Sequence, residues 1–165
     1  MVVMKGEQLK APALRKDLEG LARHSDYAII GPAGLYLRTL PLVSYELLFS
    51  KINKIEVVTK RSDLNGEHVD LNKVGLAGFE DGFVNSASYV RFNGHRVKVA
   101  SPPYLALDYL LRNRSISDLC AFVKARGDIE PETLRSLLKA THHRELFEEK
   151  VLPLLYDFAP STSKH

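Results

Sequence analysis

Tyr27-Ala28-Ile29-Ile30-Gly31-Pro32-Ala33-Gly34-Leu35-Tyr36-Leu37 is the stretch from which the rest of the chain is read. Its first four residues are a short apolar run of buried-strand type. Gly31-Pro32 turns the chain. Ala33 to Leu40 then reads as a helix whose small residues allow close approach to a sheet, and Pro41 ends it. Two further apolar runs follow, Ile55-Glu56-Val57-Val58 and His68-Val69-Asp70-Leu71, each carrying one acid. The order is strand, glycine turn, helix, strand with an acid, strand with an acid.

Around this centre the chain sorts into two parts. Pro12 suits the first turn of a helix over 12–23, because its missing N–H costs nothing there. Leu14, Leu18 and Leu21 form that helix's apolar stripe, with Lys16, Asp17 and Glu19 off it. Val43 to Phe49 is open between helix and irregular structure. Ile55–Thr59 is rich in β-branched residues and reads as a central strand, and Glu67–Leu71 as the next. Asn72 to Asn85 carries three glycines and reads mostly as loop, with a helical turn near Phe79. Ser88–Phe92 and His95–Ala100 alternate polar and apolar residues around Asn93-Gly94. Asn-Gly fits a type I′ hairpin turn, which needs positive φ at both positions. Tyr89 and Arg91 fall on one face of this hairpin, Val90 and Phe92 on the other.

Beyond Ser101-Pro102-Pro103 the pattern is helical. Helices are expected over 103–112, from Ser115 or Ser117 to about Arg126, then one opened by Asp128, Pro131 and Glu132 with Leu134, Leu137 and Leu138 on one face, and one over 145–157 with a kink or restart at Pro153. The fold class is therefore α+β: a small mixed β-sheet with flanking helices in 12–100, followed by a C-terminal helical bundle in 101–158 that packs on it as one unit.

Composition narrows the function classes. With 165 residues, 45% hydrophobic and 26% charged, the chain has the make-up of an ordinary globular protein. Its formal net charge of +3 permits phosphate or nucleic-acid binding without requiring it. One cysteine, Cys120, allows neither an internal disulfide nor a cysteine-based zinc site, and fits a reducing cytoplasm. It sits in an apolar helical pattern and reads as a buried structural thiol. No apolar run approaches the ~20 residues that cross a bilayer, and residues 1–10 have no signal-peptide character, so no membrane partner is expected.

The acids of the two later strands carry the candidate chemistry. Attack of a hydroxyl on a nucleotide phosphate needs its developing charge neutralised, commonly by two metal ions about 3.5–4 Å apart. Magnesium takes hard oxygen ligands. Carboxylates two apart on a strand share a face, and a third on a neighbouring strand completes the clamp. A glycine turn before a helix lets backbone approach the phosphates.

In this order the motifs resemble the nucleotidyltransferase superfamily, in the minimal branch associated with type E abortive-infection toxin–antitoxin systems. Ile29 to Leu37 stands for the family's glycine turn and helix. Lys54-Ile55-Glu56-Val57-Val58 stands for its Asp-x-Asp strand, and His68-Val69-Asp70-Leu71 for the strand of the third acid. Gly94 to Leu105 resembles the hairpin and helix that lead into its C-terminal bundle. The resemblance implies Glu56 and Asp70 as catalytic and metal-holding residues. It also implies nucleotide or phosphate contacts from Gly31, Ala33, Gly34, Arg61 and Lys98, and magnesium as the metal, weakly held. The chain departs from the pattern at two places: Pro32 replaces the second small residue of the turn, and Lys54 replaces the first carboxylate. A lysine between two acids competes with a divalent ion. The expectation is a nucleotidyltransferase fold with weak or absent catalysis, binding a nucleotide or nucleic acid. The plainer reading of Glu56 and Asp70 is a pair of strand acids, solvated or bonded to Lys54 or Arg61.

A second class stays open. The Gly-Pro-x-x-Leu and Ala-Ser-Pro pieces also resemble the C-terminal domain of the antitoxins paired with those toxins, which implies a regulatory module with a protein partner. Residues 1–26 are too short for the winged-helix DNA-binding domain that such antitoxins carry. An open cleft with converging acids favours the first class, and a Lys54 salt bridge the second. Other constellations weigh less. Lys60, Arg61, Arg91, Arg96 and Lys98 form either a basic strip on the sheet or a solvated face, and Arg112-Asn113-Arg114 is a short basic loop. His142 and His143 diverge by ~100° on a helix and make no metal site. No nucleophile motif is visible.

Overall fold

The computed structural model describes residues 5–39, 48–61, 63–71, 79–112, 114, 117–119, 131–138, 148–149 and 153. The chain forms two compact units, Met1–Ser101 and Pro102–His165. The first is a mixed α+β unit built on a five-stranded mixed sheet.

Helix α1 spans Lys5–Leu21. Leu14, Leu18 and Leu21 are buried as their spacing requires. Two points depart from the sequence reading. The helix starts earlier, so Pro12 lies in its interior, where it removes one backbone hydrogen bond. Asp17 is buried, at 6% exposure. The spacing explains it: Asp17 is three residues from Leu14 and four from Leu21, within the apolar stripe itself.

Strand β1, Tyr27–Ile30, is buried throughout. Helix α2, Gly31–Thr39, begins directly after it. Gly31 has φ 66°, a left-handed conformation that a side chain would oppose, and it lets the strand break straight into the helix. Strand β2, Ile55–Thr59, is also buried along its length. It runs antiparallel to β1, with Tyr27 opposite Thr59 and Ile30 opposite Glu56. Strand β3, Val69–Leu71, lies parallel to β2. Helix α3, Glu80–Ser86, occupies sequence read mostly as loop; Glu80 and Asp81 in its first turn favour the helix N-terminus, and Phe83 anchors it in the core.

Strands β4, Ser88–Phe92, and β5, His95–Val99, form the expected hairpin. Asn93 and Gly94 have φ 43° and 78°. The sheet order is β3-β2-β1-β5-β4, with β5 parallel to β1. Val97 and Val99 are buried, and His95 Nε2 lies 3.6 Å from Glu19 Oε2 of α1, so α1 covers the face of the sheet that these three residues share. Arg38 of α2 ties the hairpin down. It donates from Nε to the Ala100 carbonyl at 2.9 Å, and from Nη2 to the Val99 carbonyl at 2.8 Å and Ser88 Oγ at 2.7 Å.

In the second unit, helix α4 spans Pro102–Leu111 and helix α5 Pro131–Leu138. Leu105, Leu107 and Leu110 of α4 are buried, and so is Asp108, whose carboxylate lies 2.9 Å from Arg114 Nε. Residues 117–119 are helical. Cys120, His142, His143, the 43–47 stretch and the neighbours of Pro153 lie outside the described residues. No described helix is long and apolar enough to cross a membrane.

Candidate functional site

Strand register puts the candidate acids side by side. Ile30 pairs with Glu56, and Glu56 pairs with Asp70. The three residues form one row across β1, β2 and β3, on the sheet face opposite α1. Gly31 follows Ile30, so the row ends beside the start of α2. Gly31, Glu56 and Asp70 are therefore brought together, as the sequence order implies.

Their environments differ sharply. Glu56 is buried, at 3% exposure. Asp70 is exposed, and Lys54 Nζ lies 3.2 Å from its Oδ2. Lys54 precedes Glu56 by two residues, shares its face, and reaches diagonally to the neighbouring strand. The ammonium of Lys54 thus pairs with the outer acid of the row. This arrangement does not fit a two-magnesium clamp: one carboxylate is enclosed, the other is paired with an ammonium, and among the described residues no third stands with them. Among the described residues no group of three His, Cys, Asp or Glu is placed to hold a metal ion.

The glycine turn is closed as well. Gly31, Ala33 and Gly34 are buried and pack α2 on the sheet, leaving Pro32 as the partly exposed residue of the first turn. A phosphate approaching there meets a ring with no N–H to donate.

Arg61 and Lys98 do not join this row. Because β2 runs antiparallel to β1, Arg61 emerges beside the start of β1, at the far end from Gly31. It is held by Asp63 through Nε at 2.8 Å and Nη2 at 2.5 Å. That hydrogen bonding raises the Arg61 pKa and lowers that of Asp63. Thr59 Oγ1 accepts the Arg61 amide at 3.0 Å and donates to the Asp26 carbonyl at 2.5 Å, fixing the turn. Lys98 Nζ donates to the Ser25 carbonyl at 3.0 Å, again near the start of β1. Lys60 forms an ion pair with Asp81. The five cations left open between a basic strip and a solvated face are divided: Lys60 and Arg61 are paired with acids, while Arg91, Arg96 and Lys98 share one face of the hairpin with Tyr89.

Two contributors to the site's support were missed from sequence. Asp17 accepts the amides of Glu67 at 3.1 Å and His68 at 2.8 Å, anchoring the chain just before β3. Its placement in the leucine stripe was the available signal. Arg38 had no such signal, since its three acceptors come from residues 50 or more positions away.

Comparison with known proteins finds no family model that matches the chain, and no curated protein that matches it.

Proposed function

We propose that this chain is a non-catalytic binding protein on a nucleotidyltransferase-like core, in which the catalytic acids have become part of the sheet's own structure. One observation carries this reading: the 3.2 Å ion pair between Lys54 Nζ and Asp70 Oδ2, beside the buried Glu56. A divalent ion at Asp70 meets the charge of Lys54 at close range, and the two repel. A transferase would need that position negative. The same ion pair favours the regulatory, antitoxin-like version of the reading over an active enzyme, with a nucleotide, a nucleic acid or a protein as the bound partner.

The test is incubation with labelled nucleoside triphosphates, magnesium or manganese, and RNA, beside Glu56→Gln and Asp70→Asn. The expected result is no transfer by any of the three proteins. Nucleotide transfer by the native chain that both substitutions abolish overturns the reading.

A further inference from the structure

The hairpin Ser88–Val99 carries Arg91, Arg96 and Lys98 and no acid. With histidine neutral its formal charge equals the net charge of the whole chain, +3, so the remainder of the chain is balanced. The excess is also gathered on one surface. Tyr89 pairs with Lys98 and Arg91 with Arg96, so all four side chains project from the same face. Arg91 and Arg96 are both exposed. Like charges directly opposite one another on paired strands destabilise a sheet. The chain retains this cost with no carboxylate of its own on the hairpin to relieve it.

Tyr89 stands among these cations. Its exposure is 45%, and it is the exposed large apolar side chain among the described residues. The Arg96 guanidinium carbon lies 4.8 Å from its ring centroid and Lys98 Nζ 5.8 Å. The ring is thus held by cation–π contacts and presented at the surface rather than folded into the core.

We propose that this face binds single-stranded nucleic acid, with phosphates on Arg91 and Arg96 and a base stacked on Tyr89. A cationic track with an aromatic platform is the chemistry that single strands require, because every base has a π-face and every nucleotide a phosphate. An acidic peptide would use the arginines and leave the ring idle. A membrane surface would need more exposed apolar area than one tyrosine supplies. A duplex buries the base faces that the ring would stack on. The inference goes beyond the reading of the Glu56 site by giving the binding role a ligand class, and it rests on the hairpin alone.

The experiment is fluorescence anisotropy of the full chain with labelled oligo(U) and oligo(dT), over a series of salt concentrations. Binding of either strand supports the proposal when the hairpin variants weaken it. Arg91→Ala and Arg96→Ala each lower affinity several-fold, and each reduces the slope of log affinity against log salt by about 0.7. Tyr89→Leu lowers affinity by about 5- to 100-fold, while Tyr89→Phe retains it. Lys51→Ala, an exposed cation elsewhere, leaves it unchanged. Arg91→Ala also keeps or raises thermal stability, since it removes a like-charge pair, so lost binding is separable from lost folding. The proposal is overturned by absence of binding, by equal binding of polyglutamate or duplex, or by Tyr89→Leu binding as the native chain does. Loss of binding in Asp70→Asn with the hairpin variants intact also overturns it, while leaving the non-catalytic reading in place.

Discussion

The carboxylate of Asp17 occupies the space that a side chain on Gly66 would need. A Cβ built on Gly66 lies 2.6 Å from Asp17 Cγ and 2.7 Å from Val69 Cγ2. The glycine lets the segment before β3 press onto α1, where Asp17 takes the Glu67 and His68 amides. Asp17→Ala leaves both donors without their acceptor and is expected to cost about 3 kcal/mol in urea unfolding, with Asp17→Asn costing less. Gly66→Ala is also destabilising. The double variant Asp17→Ala/Gly66→Ala loses less than the sum of the two, because removing the carboxylate clears part of the clash.

The exposed Lys54–Asp70 pair contributes little to stability. Lys54→Ala should shift unfolding free energy by about 0.5 kcal/mol or less. The substitution that matters for chemistry is Lys54→Asp, which places a carboxylate two residues before Glu56 on the same face. Magnesium binding by calorimetry is expected to be weak in the native chain and about tenfold tighter or better in Lys54→Asp. Unchanged weak binding would mean that the enclosure of Glu56, and not the ammonium, excludes the ion.

Tyr27 predicts a loss of stability in alkali. Burial pushes its phenol up from 10.0 to about 12, opposed by the Lys98 amide, which donates to its oxygen at 3.1 Å. Below pH 10 the phenol is protonated in both folded and unfolded chains, so the contribution is fully present. Between pH 10 and 12 the unfolded chain gives up this proton and the folded chain keeps it. Stability therefore falls across that window, by roughly 2 kcal/mol at its end. Unfolding of the native chain and Tyr27→Phe, compared as a function of pH, isolates the effect as a decline that the variant lacks.

At the hairpin turn, Gly94 has φ 78° and open space where a Cβ would sit. The cost of Gly94→Ala is then conformational alone, about 1 kcal/mol. A much larger loss in chemical unfolding would reveal a contact at the turn that its geometry does not suggest.

What could be read in advance follows the range of each signal. Strand β1 with its glycine break, strand β2 and the Asn93-Gly94 turn are written in a few adjacent residues each, and they form as read. The pairing of Glu56 with Asp70 follows the order that the family resemblance implies, while the residues of the two strands carry no mark of which neighbour each takes. Strand direction was not legible. An apolar run carries no mark of whether it lies parallel or antiparallel to its neighbour, and that choice sends Arg61 away from Gly31. Asp17 was misplaced because a charged residue within a leucine stripe was assigned to water, when backbone amides 50 and 51 residues later supply its hydration. Helix α3 runs longer than the helical turn expected near Phe79 within a mostly loop stretch, because the burial of Phe83 outweighs the glycine content.

Among the described strands, β4 pairs with β5 on one side and ends the sheet on the other. Such a margin is a template for another copy of the same strand, and proteins commonly guard it with charge. Here the guard is Arg91: two copies aligned along β4 would bring together like-charged hairpins that contain no acid. Self-association is thereby discouraged at low ionic strength. Salt screens this repulsion within about 10 Å at 0.1 M, and glutamine in place of the arginines leaves only Lys98 to oppose it. Either change is expected to favour edge-to-edge association of this twelve-residue hairpin.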